Sequence, residues 1–264
     1  IDKAIKFGQK YKIHVCLNFH RAPGYSVNPE IKEPFNLWKD KEALDAFCYH
    51  WGVFAWRYKG LSPKDLSFNL VNEPKDTDNE LYMTRSDHER VIRAAVKSIR
   101  DIDANRLIIA DGLFWGNEPS PELADLKIAQ SCRGYLPFRL THYKANWAEG
   151  SMDWNEPTWP GVFDNNELWD KNKLQANYEK WSDLFQKGVG IHCGEGGAFN
   201  KTPHNVVLNW MTDLLEVLKS LNIGFALWNF RGSFGILDSD RKDVDYEDWY
   251  GHKLDRELLE LLQK

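Results

Sequence analysis

Cysteine is scarce in this chain of 264 residues. The four cysteines, Cys16, Cys48, Cys132 and Cys193, are far apart and form no Cys-x-x-Cys pair. That spacing argues against a zinc site. Three of them lie in apolar runs, where a buried free thiol is the expected state. We therefore expect neither a metal nor any other cofactor, and no disulfide framework from which a compartment could be inferred.

Long apolar runs and an excess of positive charge are also missing. No run approaches the roughly 20 apolar residues that a membrane-spanning helix needs, and no signal-peptide pattern begins the chain. Lys and Arg number 34 against 39 Asp and Glu, a net charge of -5, so neither nucleic acid nor a membrane is an expected partner. The chain begins at Ile1 rather than Met, which fits removal of a leader, so localisation stays open between secreted and cytoplasmic.

Aromatic residues, by contrast, are abundant. The 12 Trp, 10 Tyr and 14 Phe make up 14% of the chain. They indicate either a Trp-rich core or a cleft lined with rings that stack on flat apolar faces such as those of sugars, and we favour the cleft. Six tryptophans in predicted loops are candidate sugar platforms, of which about half are expected to be packing residues: Trp38, Trp115, Trp147, Trp154, Trp159 and Trp249.

Continuous apolar strands alternate with amphipathic helices along the whole chain. This order predicts a parallel sheet covered by helices and a single catalytic domain over residues 1–264. The predicted strands are 12–19, 66–71, 106–110, 127–135, 188–195 and 223–229. The predicted helices are 1–11, 41–58, 87–102, 169–186, 205–221 and 256–262, and a long Trp-rich loop covers 136–166. Six strands are two fewer than a complete eight-stranded barrel needs.

One carboxylate stands at the end of a predicted strand. The tripeptide Asn-Glu-Pro occurs three times, but only the copy at 72–74 directly follows an apolar strand. Pro74 cannot donate a ladder hydrogen bond and biases Glu73 away from the helical region. We therefore expect Glu73 at the rim where barrel enzymes hold their catalytic residues.

A second carboxylate, Glu195, ends another apolar strand and is flanked by Gly194 and Gly196. Two carboxylates from different strands can face each other across a barrel mouth. Cleavage of a glycosidic bond with retention needs such a pair about 5 to 5.5 Å apart, one protonated and one ionised. The alternative for either residue is a cap or an ion pair with Arg.

Four segments taken together resemble glycoside hydrolase family 5, the cellulase family of clan A. They are His20-Arg21-Ala22-Pro23-Gly24, Leu70-Val71-Asn72-Glu73-Pro74, Cys193-Gly194-Glu195-Gly196-Gly197 and Ala226-Leu227-Trp228-Asn229. The resemblance implies an α/β fold, a TIM-type (β/α)8 barrel that here lacks its first two strands.

The resemblance also implies roles for individual residues. Glu73 would be the acid/base and Glu195 the nucleophile. Asn72 would bind the sugar 2-hydroxyl, His20 would form a polar wall at the cleaved bond, and Trp228 would be the aromatic platform there.

The chain departs from the family pattern at two places. Members normally end the sixth strand with His-x-Tyr, whereas this strand ends Arg133-Gly134-Tyr135. Strand register favours Tyr135 as the tyrosine beside the nucleophile, with His142 and Tyr143 as the other candidates. Arg133 would either favour an ionised Glu195 or hold an acidic loop residue. The arginine that the family places on its second strand has no counterpart.

These patterns together predict a retaining glycosidase acting on a β-1,4-linked oligo- or polysaccharide, as an endo-β-1,4-glucanase. A β-mannanase or another β-glucanase is the alternative within the family, and a non-catalytic carbohydrate-binding pseudo-enzyme is the alternative outside it. The chain is either an N-terminally incomplete fragment or a shortened barrel. If its N-terminus is authentic, the open edge is expected to be covered by the chain's own loops or by a second copy, because an exposed parallel edge invites association.

Overall fold

The computed structural model describes residues 1–28, 30–75, 77 and 79–264. In this part of the chain the strands are β1 (Val15–Asn18), β2 (Arg21–Ala22), β3 (Tyr25–Ser26), β4 (Leu66–Asn69), β5 (Leu107–Asp111), β6 (Ala129–Gly134), β7 (Val162–Asp164), β8 (Glu167–Trp169), β9 (Ile191–Gly196), β10 (Gly224–Leu227), β11 (Glu247–Trp249) and β12 (His252–Leu254). The α-helices are α1 (Asp2–Tyr11), α2 (Lys41–Arg57), α3 (Arg85–Arg100), α4 (Leu113–Gly116), α5 (Phe138–Thr141), α6 (Lys171–Glu179), α7 (Ser182–Gln186), α8 (His204–Ser220) and α9 (Arg256–Leu262). Two 3-10 helices cover Pro121–Leu126 and Ser151–Asp153.

The chain divides into two compact units, residues 1–132 with 184–190 and residues 133–183 with 191–264. In the first unit the parallel strands lie in the order β1, β4, β5 and β6. Val15 pairs with Leu66, and Ile109 pairs with Ala129. The carboxyl ends of these strands therefore lie side by side at one edge of the sheet.

Helices α2 and α3 cover this sheet with their apolar faces. Phe47 and Trp51 of α2, and Val91 and Ile92 of α3, are fully buried with Phe68 of β4 in one core. Helix α3 starts in a capping box formed by Thr84 and Asp87, which satisfies free backbone N–H groups of its first turn. A well-packed core of this kind fixes where the strand ends lie.

A buried arginine binds backbone carbonyls at the opposite end of the same sheet, where the strands begin. Arg106, just before β5, donates to the carbonyls of Leu66, Tyr58 and Leu61 at 2.7 to 3.1 Å. Its guanidinium also lies 2.7 Å from the carboxylate of Asp103. The charge is thus both paired and hydrogen-bonded, as a buried charge must be.

In the second unit β9 and β10 form a parallel pair, with Gly224 opposite His192. Helix α8 buries Trp210, Met211 and Leu214 among its apolar residues. Two antiparallel hairpins, β7 with β8 and β11 with β12, extend this unit. The prediction of a single catalytic domain over 1–264 stays a prediction.

Two segments differ from the sequence-based expectation. The predicted helix over 169–186 is interrupted, because the chain turns after Glu179 and buries Trp181 completely before α7 begins. The predicted loop over 136–166 contains α5, a 3-10 helix and β7. Among the helices that the structure describes, none is both long and apolar enough to cross a membrane.

Candidate active site

Glu73 follows β4 by four residues and is half-buried. Every residue from Leu66 to Asn72 is buried, so the chain reaches Glu73 from inside the core. The backbone of Glu73 is left-handed, with φ 48°. A non-glycine residue there is destabilised by roughly 1 to 2 kcal/mol, so the surrounding contacts must hold it in place.

Two side chains hold the backbone of Glu73 from opposite sides. Its N–H donates to Oδ2 of Asp111 at 2.9 Å, and its carbonyl accepts a hydrogen bond from the hydroxyl of Tyr25. Asp111 is the last residue of β5 and is buried. Tyr25 of β3 is also buried and packs edge-on against Trp38.

The short, kinked turn α4, directly after β5, also binds the segment that carries Glu73. The N–H of Trp115 donates to the carbonyl of Pro74 at 2.9 Å, and that of Phe114 to the carbonyl of Lys75 at 3.2 Å. Phe114 and Trp115 are both left-handed. Trp115 is 40% exposed and stays a candidate sugar platform.

The other predicted residues of the first unit lie at the same edge of the sheet. His20 is exposed directly after β1 and Phe19. Asn72 is buried, and its N–H donates to the carbonyl of Phe19 at 3.0 Å. Together these residues, with Tyr25, Asp111 and the Glu73 segment, form what we call the Glu73 region.

Glu195 lies within β9 and is half-buried. The hydroxyl of Tyr135 donates to Oε1 of Glu195 at 2.7 Å. An ionised carboxylate only accepts hydrogen bonds, and a hydroxyl donor stabilises that form. The structure thus brings together Tyr135 and Glu195, the pair expected from strand register and the family pattern. Tyr143 is buried.

Glycines allow the chain segments around Glu195 to approach closely. A Cβ on Gly196 would lie 2.8 Å from the carbonyl oxygen of Gly134 and 2.8 Å from the ring of Phe225. A Cβ on Gly197, where φ is 156°, would lie 2.6 Å from the carbonyl oxygen of Trp228. Only glycine fits at these two positions, which accounts for the Gly-Gly pair after Glu195.

Trp228 directly follows β10, and its N–H donates to the carbonyl of Gly196 at 2.8 Å. Its ring is 39% exposed, and the peptide bond to Asn229 is cis. The backbone bond ties the Trp228 ring to the strand that carries Glu195.

A cluster of rings surrounds Tyr135. The ring of His142 stacks on that of Phe138, with 4.0 Å between the ring centroids, and meets the ring of Tyr135 edge-on at 5.3 Å. The ring centroid of Phe234 lies within 6.2 Å of those of Tyr135 and His142. Burial lowers the pKa of His142 to about 4, so this imidazole is neutral near pH 7. The rings and strand ends around Tyr135, Glu195 and Trp228 form what we call the Glu195 region.

Two of the six tryptophans proposed as sugar platforms are core residues. Trp38 is fully buried, and Trp159 is nearly so, with Nε1 donating to Asp213 at 2.9 Å. The prediction is wrong for these two because each ring is packed inside its own unit. Trp147 is 58% exposed and touches Phe199 and Phe234, so it stays a candidate.

Sequence reasoning missed Asp111, Tyr25 and Phe234. Asp111 carried the same signal as Glu73 and Glu195, an acidic residue at the end of an apolar strand.

Arg133 is buried, and its carbonyl accepts from the hydroxyl of Tyr178 at 2.9 Å. In the described part of the chain no group of three or more His, Cys, Asp or Glu residues could hold a metal ion.

The family model for cellulase, glycosyl hydrolase family 5, matches residues 1–233. Among curated relatives, endoglucanase C of Acetivibrio thermocellus is 28% identical over 94% of this chain and 77% of its own length. Cellodextrinase A of Ruminococcus flavefaciens is 23% identical over 84% of this chain and 64% of its own length.

Solved structures agree with this family. A crystal structure of a glycoside hydrolase superposes with a TM-score of 0.95 at 46% identity, covering 99% of this chain and 79% of the other. Endoglucanase Cel5A of Thermotoga maritima gives a TM-score of 0.76 at 25% identity, covering 99% and 76%. That enzyme has also been solved with cellobiose and with mannotriose.

The predicted fold class is confirmed, since the parallel strands β1, β4, β5, β6, β9 and β10 are βα strands of the TIM-type (β/α)8 barrel. The family match spans nearly the whole chain and includes the segments that carry Glu73 and Glu195. The chain belongs to glycosyl hydrolase family 5, the cellulase family, and is a glycosidase.

Proposed function

We propose that the chain is a retaining endo-β-1,4-glucanase in which Glu73 is the acid/base and Glu195 the nucleophile. The observation that carries the assignment is the 2.7 Å hydrogen bond from Tyr135 to Glu195. A hydroxyl donor suits a carboxylate that must stay ionised and correctly oriented for attack. Relatives that bear the name endoglucanase support the choice of activity.

The reaction then proceeds in two steps. Glu195 attacks the anomeric carbon while the bond to the leaving oxygen breaks and Glu73 gives its proton to that oxygen. The product is a glycosyl ester on Glu195 and a released sugar chain. Ionised Glu73 next takes a proton from water, whose oxygen attacks the same carbon and frees Glu195. This chemistry requires the two carboxyl groups to be about 5 to 5.5 Å apart.

Five further residues are proposed to bind the substrate. Asn72 would donate to the 2-hydroxyl of the sugar at the cleaved bond, and His20 would line its polar side. The exposed ring of Trp228 would stack on the sugar face. Tyr135 would orient Glu195, and His142 would support the Tyr135 ring from its edge.

A β-mannanase is the second candidate activity. It is supported by the mannotriose complex of Thermotoga maritima Cel5A. The two sugars differ in the orientation of the 2-hydroxyl, the group assigned to Asn72. Product analysis on soluble β-1,4-glucan and β-1,4-mannan separates the candidates, and faster turnover of mannan would replace the glucanase assignment.

Glu73→Gln and Glu195→Gln test the two roles. The probes are phenyl β-cellobioside, whose leaving group needs a proton, and 2,4-dinitrophenyl β-cellobioside, whose leaving group does not. Glu73→Gln is expected to lower kcat/KM on the phenyl probe by about 10²- to 10⁴-fold and to leave it nearly unchanged on the dinitrophenyl probe. Glu195→Gln should lose at least about 10³-fold on both.

Equal losses on both probes in Glu73→Gln would contradict its role as the acid. A wild-type chain that binds cello-oligosaccharides but hydrolyses neither probe would contradict the proposed glucanase activity.

Self-association is a separate proposal. Strand β1 is paired on one side only among the described strands, with β4, and the apolar side chains of Phe7, Tyr11 and Ile13 are exposed. In a protein that begins at Ile1, a second copy would cover these groups. Light scattering is expected to give the mass of a dimer or larger assembly, whereas the mass of one chain in an active sample would refute the proposal.

A further inference from the structure

The backbone of Glu73 is held by side chains rather than by a strand or helix. Its N–H binds Asp111 and its carbonyl binds Tyr25, and its φ of 48° is a conformation that few residues other than glycine adopt. Releasing either bond would let this residue return to a commoner conformation. The carboxyl group would then point in a different direction.

Asp111 is itself fixed by a row of amides at the ends of neighbouring strands. Oδ1 of Asp111 accepts from Nδ2 of Asn69 in β4 at 2.7 Å, and Oδ1 of Asn69 accepts from Nδ2 of Asn18 in β1. Because an ionised carboxylate only accepts, the Asn69 atom that faces it must be the amide nitrogen. The amides therefore donate in one direction across three adjacent strands, from Asn18 through Asn69 to Asp111, whose other carboxylate oxygen accepts from the N–H of Glu73.

We propose that Asp111 and Tyr25 are positioning residues for the general acid, setting the backbone of Glu73 and so the direction in which its carboxyl group presents the proton. The inference rests on the proposed role of Glu73. Neither residue touches the reacting atoms in this account, and both act through Glu73. A displacement of the order of 1 Å in a catalytic group is enough for a loss of about 10²-fold.

Asp111 and Tyr25 would affect proton delivery by Glu73 but not nucleophilic attack by Glu195. A misdirected Glu73 should lower kcat/KM only for substrates whose leaving group needs a proton, because kcat/KM reports the steps up to the glycosyl ester and not the later step in which Glu73 acts as base. A general loosening of the fold should slow all reactions alike, so the phenyl and dinitrophenyl cellobiosides distinguish positioning from structural damage.

Two variants remove the two bonds independently. Asp111→Ala deletes the acceptor of the Glu73 N–H, and Tyr25→Phe deletes only the hydroxyl that binds the carbonyl while keeping the buried ring. Both are expected to lower kcat/KM on the phenyl probe by about tenfold to hundredfold. On the dinitrophenyl probe the change should stay below about threefold.

Asp103→Ala is the matched control. Asp103 is likewise a nearly buried aspartate bound to a neighbouring side chain, but it pairs with Arg106 at the opposite end of β5. Its loss is expected to lower thermal stability while the ratio of the two kcat/KM values keeps its parental value.

Asp111→Asn keeps the geometry and removes only the charge. With its oxygen toward Glu73, its amide nitrogen can donate to Asn69 if the amides of Asn69 and Asn18 turn over together. This variant should therefore recover most of the phenyl-probe rate that Asp111→Ala loses.

Tyr25→Phe keeps the test decisive if Asp111→Ala does not fold. Equal losses on both probes in Tyr25→Phe, or no loss on either, would overturn the inference. If Glu73→Gln itself shows no dependence on the leaving group, the acid/base assignment fails instead, so the two failures are distinguishable.

Discussion

The Glu73 and Glu195 regions hold their carboxylates in different ways. The bonds described for Glu73 reach its backbone, through Asp111 and Tyr25. The bond described for Glu195 reaches its carboxylate, through the hydroxyl of Tyr135. The first region is built from amides, a carboxylate and a hydroxyl, whereas the second is built from rings and closely packed glycines.

This difference matches the two chemical tasks. A general acid must exchange protons during each turnover, so it must keep one orientation, and the Asp111 and Tyr25 bonds fix that orientation through its backbone. A nucleophile must stay ionised and aimed at one carbon, so a donor on the carboxylate itself is useful. The contrast agrees with the proposed roles of Glu73 as acid/base and Glu195 as nucleophile.

Tyr135→Phe is expected to have the largest effect among the changes that sharpen this contrast. It removes one hydrogen bond to a charged group, worth about 1.5 to 3 kcal/mol, or roughly tenfold to hundredfold in kcat/KM. Because the bond serves the nucleophile, the phenyl and dinitrophenyl probes should lose equally. A loss confined to the phenyl probe would break the contrast, since that pattern belongs to the Glu73 region.

Gly196→Ala tests the packing of the Glu195 region. The added methyl would lie within 2.9 Å of backbone atoms of Gly134. Overpacking of this kind should destabilise the fold by about 1 to 3 kcal/mol, measured as a lower unfolding midpoint in urea. Gly224→Ala, in β10, has nothing within 4 Å of the new Cβ and is the matched control. Equal midpoints for the two variants would show that close approach of the backbones is not required.

Each unit contains one buried histidine with a lowered pKa, and these residues give the smallest of the expected effects. Burial lowers the pKa of His88 to about 3 in the first unit, as it lowers the pKa of His142 to about 4 in the second. Below about pH 6.5 the histidine binds a proton in the unfolded chain but stays neutral in the native chain. The free energy of unfolding therefore falls as the pH falls. His88→Leu should remove about 1.4 kcal/mol of the stability difference between pH 7.5 and pH 5.5.

The measurement is the free energy of unfolding at both pH values. Neither ring nitrogen of His88 has a hydrogen-bond partner in the described part of the chain, so the variant should fold normally at pH 7.5. An unchanged pH dependence in His88→Leu would show that His88 is not the residue that titrates on unfolding.

Strand β4 could be predicted from sequence because Leu66, Phe68 and Leu70 alternate with small polar residues and every residue from Leu66 to Val71 is buried. In β9 the buried Ile191 and Cys193 likewise alternate with less buried residues. The hairpins β2–β3, β7–β8 and β11–β12 were missed. Strands of two or three residues carry no detectable alternation, and their pairing depends on left-handed turn residues such as Asn165 and Tyr250.

The candidate site was predictable only in part. Glu73 and Glu195 stand out because a strand ends at each, and Tyr135 follows from strand register. Trp38 and Trp159 were predicted as exposed sugar platforms but are buried, because amino-acid composition does not show which tryptophan side chains are packed in the core. The roles of Asp111 and Tyr25 depend on contacts across 38 and 48 residues of chain, which no local pattern contains.

Trapping the covalent intermediate tests the central claim most directly. The 2-fluoro derivative of 2,4-dinitrophenyl β-cellobioside forms the glycosyl ester but releases it slowly, so peptide mass spectrometry can locate the sugar. The account expects a single label on Glu195, and none on Glu195→Gln. A label on Glu73, or product sugar released with inverted anomeric configuration, would contradict it.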